Sequence, residues 1–196
     1  MAVLTFWFDF GSPTTYLAWR RMPAILERTG ARLEAVPILL GAVFKATGNA
    51  SPVTVPAKGR WMTDDMALWA RRDGTPLAMN PHFPVNTTAL MRGAVAAEDR
   101  GEFMAYCDAM FDGMWRDARN MGDAGVVAEV LAAAGLDPGA YAAAAEDPAI
   151  KDRLRANTEA ALAAGVFGAP SFRVGDRLFF GQDRTHFVEA ALRGEL

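Results

Sequence analysis

The opening strand–helix–strand run limits the possible folds more than any other feature. Val3 to Phe8 reads V-L-T-F-W-F, a β-branched and aromatic stretch that predicts a central strand. Gly11-Ser12-Pro13 breaks it. From Pro13 to Thr29, Tyr16, Leu17, Trp19, Ile25 and Leu26 recur near helical spacing, with Pro at the first helical position and Gly30 just past the end. Pro23 inside this stretch predicts a kink. Arg32 to Pro37 reads as a second strand. A βαβ unit of this kind has parallel strands and a right-handed crossover.

The middle of the chain reads differently. Gly41 to Pro56, with its glycines, prolines and Asn49, reads as a loop. Helical patterns then run Lys58 to Arg72, Asn86 to Arg100, Glu102 to Arg116 and Asp123 to Ala134, with a short one opening at Asp137-Pro138. Asn80 to Pro84 is a loop between helices. Pro148 to Ala164 is a helix closed by Gly165, followed by strands Ser171 to Val174 and Arg177 to Phe180 around a Gly175-Asp176 turn. Thr185 to Arg193 is the final helix. The layout is an α/β sheet, residues 1–57 and 148–196, interrupted by an all-α insertion over 58–147.

Composition narrows the chemistry. The chain has 196 residues and net charge -3, with Lys and Arg scattered, so no nucleic-acid footprint is expected. No apolar run reaches the ~18 residues of a membrane span, and Met1 to Phe10 lacks a signal-peptide pattern. A soluble, cytoplasmic protein with no membrane contact is expected. The single cysteine, Cys107, allows no intramolecular disulfide, no redox pair and no cysteine zinc site. With two histidines, His82 and His186, no metal site is expected.

Three segments can carry chemistry. Phe8-Asp9-Phe10-Gly11-Ser12-Pro13 leaves a strand and opens a helix, where unpaired N–H groups suit an anion or thiolate and the Ser12 hydroxyl can donate to it. Ser-Pro is also an ordinary cap and first-turn pair, so a purely structural role stays open. Asp9, between two phenylalanines, reads either as a buried carboxyl of raised pKa or as a hydrogen-bonded structural group. In Gly168-Ala169-Pro170-Ser171 the proline is either cis, exposing the Ala169 backbone to an extended peptide, or trans at an edge strand. In Gly181-Gln182-Asp183-Arg184, Asp183 reads as the cap of the last helix or as a holder of a charged ligand. Cys107, among Met104, Met110 and Phe111, reads as a buried core thiol. Met62, Met66, Trp69, Met91, Met110, Met114 and Trp115 fit helix-core spacing, and some of them suit an apolar substrate pocket.

Taken in order, F-D-F-G-S-P-T-T-Y-L-A (Phe8 to Ala18), L-L-G-A-V-F-K-A-T-G-N (Leu39 to Asn49), V-P-A-K-G-R-W (Val55 to Trp61), F-P-V-N-T-T-A-L-M-R-G (Phe83 to Gly93), G-V-F-G-A-P-S-F (Gly165 to Phe172) and F-F-G-Q-D-R (Phe179 to Arg184) carry a resemblance along essentially the whole chain. The chain resembles the 2-hydroxychromene-2-carboxylate isomerases and the related kappa-class glutathione transferases, within the DsbA-like branch of thioredoxin folds. The resemblance implies a thioredoxin-like fold with a large helical insertion, a glutathione cofactor and a homodimer. It implies that Ser12 contacts the glutathione sulfur and that Ala169, before cis-Pro170, pairs with its cysteinyl part. Gln182 and Asp183 would hold the γ-glutamyl end. Asn49, Lys45 and Asn86 would line the sulfur or substrate side, with Lys58, Arg60 and Trp61 as further candidates. Gly11 departs from the family, which often has a larger apolar residue there.

In that reading the helix end and Ser12 hold the glutathione thiolate, which adds to an electron-poor carbon of an aromatic 2-oxo acid, permits rotation and is eliminated. DsbA-like oxidoreductases use cysteines where this chain has Ser12 and Thr15, so a dithiol mechanism is closed to it. Two other readings remain: a kappa-type glutathione transferase or peroxidase, and a non-catalytic protein that binds a peptide or partner over the Pro170 edge.

Overall fold

The computed structural model describes residues Met1–Leu196. Strand β1 (Val3–Phe8) feeds α1 (Pro13–Thr29), which returns to β2 (Arg32–Pro37). A helical series follows: α2 (Leu40–Thr47), α3 (Pro56–Asp73), α4 (Thr88–Arg100), α5 (Phe103–Trp115), α6 (Ala124–Ala133), α7 (Pro138–Glu146) and α8 (Pro148–Ala163). Strands β3 (Ser171–Val174) and β4 (Arg177–Phe180) and helix α9 (Thr185–Leu192) close the chain. The sheet order is β2-β1-β3-β4. β1 pairs parallel with β2, Val3 opposite Arg32, and antiparallel with β3, Phe6 opposite Phe172. β1 is therefore interior, as its aromatic and branched residues predict.

Its two faces pack into separate cores. Leu4, Phe6 and Phe8 are fully buried beneath α1 and α5. Phe6 stacks on Phe172 at 4.9 Å, and Phe111 of α5 meets Phe10 at 4.7 Å and Trp19 at 5.7 Å. Each such side chain contributes about 1.5–3 kcal/mol by leaving water. On the other face Trp7 packs with Ile38, Val43, Ala161 and Val166, which brings α2 and α8 against the sheet. No helix is long and apolar enough to cross a membrane.

The structure corrects the expected loop over Gly41–Pro56. Leu40–Thr47 is helical, and Pro52–Thr54 forms a 3₁₀ turn. Leu39 supplies no side-chain cap to α2. The end is held instead from afar: Leu39 N–H donates to Thr158 Oγ1 at 3.0 Å and Leu40 N–H to Asp9 Oδ2 at 2.9 Å. A second correction concerns Asp183. It lies inside a 3₁₀ turn, Gln182–Arg184, and does not cap α9, whose first residue is Thr185. Gly181, at φ 102, starts that turn, so the helix opens at Thr185 as expected but without Asp183 as its cap, and Asp183 pairs with Arg184 at 3.2 Å. Helix α1 runs through Pro23 without ending there.

Helices α4 and α5 cross closely at Gly93, where a Cβ would lie 2.0 Å from Tyr106 Oη. That hydroxyl donates to Leu90 O at 2.9 Å. Gly93→Ala should therefore lower stability by about 1–3 kcal/mol through overpacking. Urea denaturation checks this, and a variant as stable as the parent would show that α4 and α5 can separate there freely.

Candidate active site

The turn between β1 and α1 is built around one carboxylate. Asp9 is 3% exposed and takes three hydrogen bonds from three segments. They come from Gly11 N–H at 2.9 Å, Leu40 N–H at 2.9 Å and Thr87 Oγ1 at 2.7 Å. Burial drives its pKa up from the ordinary 3.8, while those donors pull it down and only partly compensate. Phe10 is fixed on both sides: Trp115 Nε1 donates to its carbonyl at 2.7 Å, and its N–H meets Met91 Sδ at 3.4 Å. Ser12 N–H then closes back on Asp9 O at 3.1 Å.

Ser12 is thereby placed as the cap of α1. Its Oγ accepts from Thr15 N–H at 3.2 Å and donates to Ala169 O at 3.1 Å. Thr14 Oγ1 lies 3.0 Å away and supplies a further donor. The Ala169–Pro170 bond is cis, and Pro170 O accepts from Gly181 N–H at 3.0 Å, which ties the Gln182 turn to this loop. The N–H groups of Thr14 and Ala169 have no acceptor within the protein. Two free donors, the Ser12 hydroxyl and the positive end of α1 thus surround one point.

That point opens into a cavity of about 260 Å³. Gly11, Ser12, Thr14, Asn49, Gly168 and Ala169 form its polar side. Leu40, Phe44, Met62, Met66, Met79 and Phe83 form its apolar side. On α3, Gly59, Met62, Thr63 and Met66 follow i, i+3, i+4, i+7 spacing and present one face to it. Met79 and Phe83 sit on a loop pinned by Asn80, whose amide donates to Met114 O at 2.9 Å and Arg119 O at 2.8 Å. Phe180 packs over Gly168, where a Cβ would come within 2.7 Å of its ring.

The residues singled out from sequence divide accordingly. Ser12, Asn49 and Ala169 line the cavity, with buried Pro170 directly behind Ala169. Asn49 Nδ2 donates to Phe167 O at 2.9 Å and so braces the same loop. Gln182 is buried, its Oε1 finds no partner, and its carbonyl accepts from Arg21. Asp183 lies in a separate surface groove with Arg21, Trp69, Asp73 and His186, outside the Ser12 cavity. Three substrate candidates fall outside the Ser12 cavity. Lys45 follows Phe44 on α2, and because Phe44 faces the cavity, Lys45 points to solvent. Trp61 is off the lining face of α3 and 64% exposed. Asn86 accepts from Thr88 N–H at 3.0 Å and lines a separate cavity of about 180 Å³ between α4, α6 and α7. Lys58 and Arg60 are exposed, and Cys107 is buried, with its thiol pKa pushed up by desolvation.

Sequence reasoning missed Leu40, Phe44, Met79, Phe83 and Phe180 as lining residues, and Thr87 as the partner of Asp9. Met62 and Met66 were detectable from helical spacing; the loop residues carry no periodic signal.

A parallel–antiparallel four-stranded sheet, a helix capped by a buried polar side chain and a cis-proline loop across from it define a thioredoxin-fold protein with serine at the start of its first helix. The DsbA-like thioredoxin domain family model matches residues 3–193. A 2-hydroxychromene-2-carboxylate isomerase from Sphingobium xenophagum is 31% identical over 96% of this chain and 97% of its own. The solved structure of a 2-hydroxychromene-2-carboxylate isomerase superposes with TM-score 0.89 at 27% identity, over 97% of this chain and 94% of that one. A glutathione S-transferase kappa 1 from Caenorhabditis elegans is 26% identical over 97% of this chain and 90% of its own. The chain belongs to the DsbA-like thioredoxin family and, within it, to the family of the 2-hydroxychromene-2-carboxylate isomerases.

The Asp9 arrangement sets a pH dependence. A carboxyl whose folded pKa is raised contributes stability that is complete below 3.8 and is lost as pH climbs through the folded value. Asp9→Asn cannot titrate and must turn its amide toward one of the three donors, at a cost of about 1–3 kcal/mol. Urea denaturation across the acid range should show the parent's advantage over the variant shrinking as pH rises from 3.8. An advantage that stays constant would mean that the carboxyl titrates alike in both states.

Proposed function

We propose that this protein is a glutathione-dependent cis–trans isomerase for an aromatic 2-oxo acid of the 2-hydroxychromene-2-carboxylate type. The names of its full-length relatives support the reaction class. The observation that carries the chemistry is the Ser12 hydroxyl, capping α1 and bonded to Ala169 O at the floor of the cavity.

The residues present fit glutathione. The unpartnered Thr14 and Ala169 N–H groups suit an anion and an extended peptide beside Ser12. In the surface groove, Asp183 suits an ammonium group, and Arg21, held by Asp73 and the Gln182 carbonyl, lies in the same groove for a carboxylate. When bound, glutathione supplies a thiol that adds reversibly to the conjugated carbon, so that the former double bond can rotate. Ser12 binds that sulfur by leaving Ala169 O. The exchange replaces a neutral hydrogen bond, worth about 0.5–1.5 kcal/mol net, with one to a charged group, worth about 1.5–3 kcal/mol. The positive end of α1 adds to the same preference for negative charge. A free thiol of pKa ~8.5 is mostly protonated at neutral pH, and each unit removed raises its charged fraction about tenfold. The apolar side of the cavity excludes water and holds the aromatic substrate.

A kappa-type transferase would use the same residues, and the kinship with kappa 1 transferases favours it as the second reading. Turnover of an aryl halide to a stable conjugate, without isomerisation of the oxo acid, distinguishes it.

Ser12→Ala removes the charge-assisted bond, so isomerase turnover at saturating glutathione should fall roughly 10- to 100-fold. The bound thiol should titrate about one unit higher, as read from thiolate absorbance. Turnover and thiol pKa both equal to the parent's would remove Ser12 from the mechanism.

A further inference from the structure

The Ser12 cavity has a property that the reaction class does not require. Its lining contains no Asp, Glu, Lys, Arg or His. Lys45, Lys58 and Arg60, close in sequence to lining residues, are exposed and none contributes to the wall. The neutral polar groups on the walls are largely committed. Asn49 Nδ2 donates to Phe167 O at 2.9 Å and its Oδ1 accepts from Ala50 N–H at 2.8 Å. Thr63 Oγ1 donates to Gly59 O at 3.0 Å. Of the free donors, the Thr14 and Ala169 N–H groups sit beside Ser12, where the sulfur belongs, and the Ser51 hydroxyl is neutral.

We infer that the cavity recognises the aromatic body of its substrate and leaves the carboxylate in water at the mouth, unpaired by any side-chain cation. This rests on the isomerase reading of the site and names what that site selects. Driving a carboxylate into a wall of Leu40, Phe44, Met62, Met66 and Phe83 would strip its hydration with no compensating charge. The mouth offers the alternative, because Asn49, Val53, Thr63, Met79 and Phe180 on the lining are exposed. The volume, about 260 Å³, is just below the ~300–1,000 Å³ of drug-sized sites and suits a body of one or two rings. Methionine on both α3 and the Asn80 loop gives a polarisable wall that adapts to flat rings. Selection of this kind makes substrate affinity insensitive to the acid group, so uncharged ketones and amides of similar shape bind equally well.

Calorimetry on the glutathione-free protein tests this with 2-naphthoate and 2-naphthamide, which share a ring system and differ in charge. The amide should bind as tightly as the acid or more tightly. An acid that binds more tightly would overturn the inference, as would failure of both ligands to bind at millimolar concentration. Met79, 39% exposed on the rim, locates the binding. Met79→Lys should tighten the acid roughly fivefold, the scale of a partly exposed ion pair, and leave the amide essentially unchanged. No selective tightening would place the ligands elsewhere and overturn the inference. Because these readouts need neither glutathione nor turnover, they stand or fall separately from the effect of Ser12→Ala.

Discussion

One buried carboxylate sets the geometry on which the site depends. Asp9 joins the β1–α1 turn, the start of α2 and the residue before α4, through Gly11, Leu40 and Thr87. These three segments border the same cavity: Gly11 and Leu40 line it directly, and Thr87 anchors the chain that follows the Met79–Phe83 loop. An apolar residue at position 9 would leave three donors unsatisfied near the protein interior, at about 1–3 kcal/mol each. The raised pKa of Asp9 records the other side of that balance, since desolvation outweighs the donors. Such a group fixes the arrangement of the three segments at a desolvation cost that its donors only partly offset.

Held by that turn, Ser12 becomes a switchable donor. Its hydroxyl has one proton, directed to Ala169 O, and receives Thr15 N–H. The pairing keeps the site satisfied when nothing else is near, which a serine without a partner would not. It also costs little to break once a charged acceptor arrives. The cis-proline loop therefore does two things: it presents a free Ala169 N–H, and its Ala169 carbonyl holds the Ser12 proton.

What could be read from the sequence follows from which forces were local. β1, α1, β2, β3 and β4 lie where their patterns predict because alternation, Pro13 and Gly30 act within each element. Asp123 and Asp137 cap their helices through their own neighbours. Helix α2 was hidden because its first N–H groups are capped by Asp9 and Thr158, remote in the chain. Asp183 misled because a glycine with positive φ inserts a turn before α9. In the site, the residues at the turn and the cis-proline loop were visible as chain breaks. Phe44 and Lys45 are adjacent in sequence but about 100° apart around a helix, so only the position of α2 decides which of them faces the cavity.

Replacing a thioredoxin-type cysteine pair with Ser12 and Thr15 changes what the same framework can do. A cysteine at this helix end would itself be the nucleophile. A serine hydroxyl is far too weak an acid for that role without an adjacent base, and none of the cavity's lining residues is ionisable. The one thiol in the chain, Cys107, is buried in the helical core with its pKa raised and cannot reach the cavity. The positive helix end and free N–H groups therefore remain as a receptor for negative charge that the protein does not itself provide. On the function proposed above, that charge arrives on a diffusible thiol and departs with its carrier after each turnover, which is compatible with a cavity wall that is apolar and free of cations.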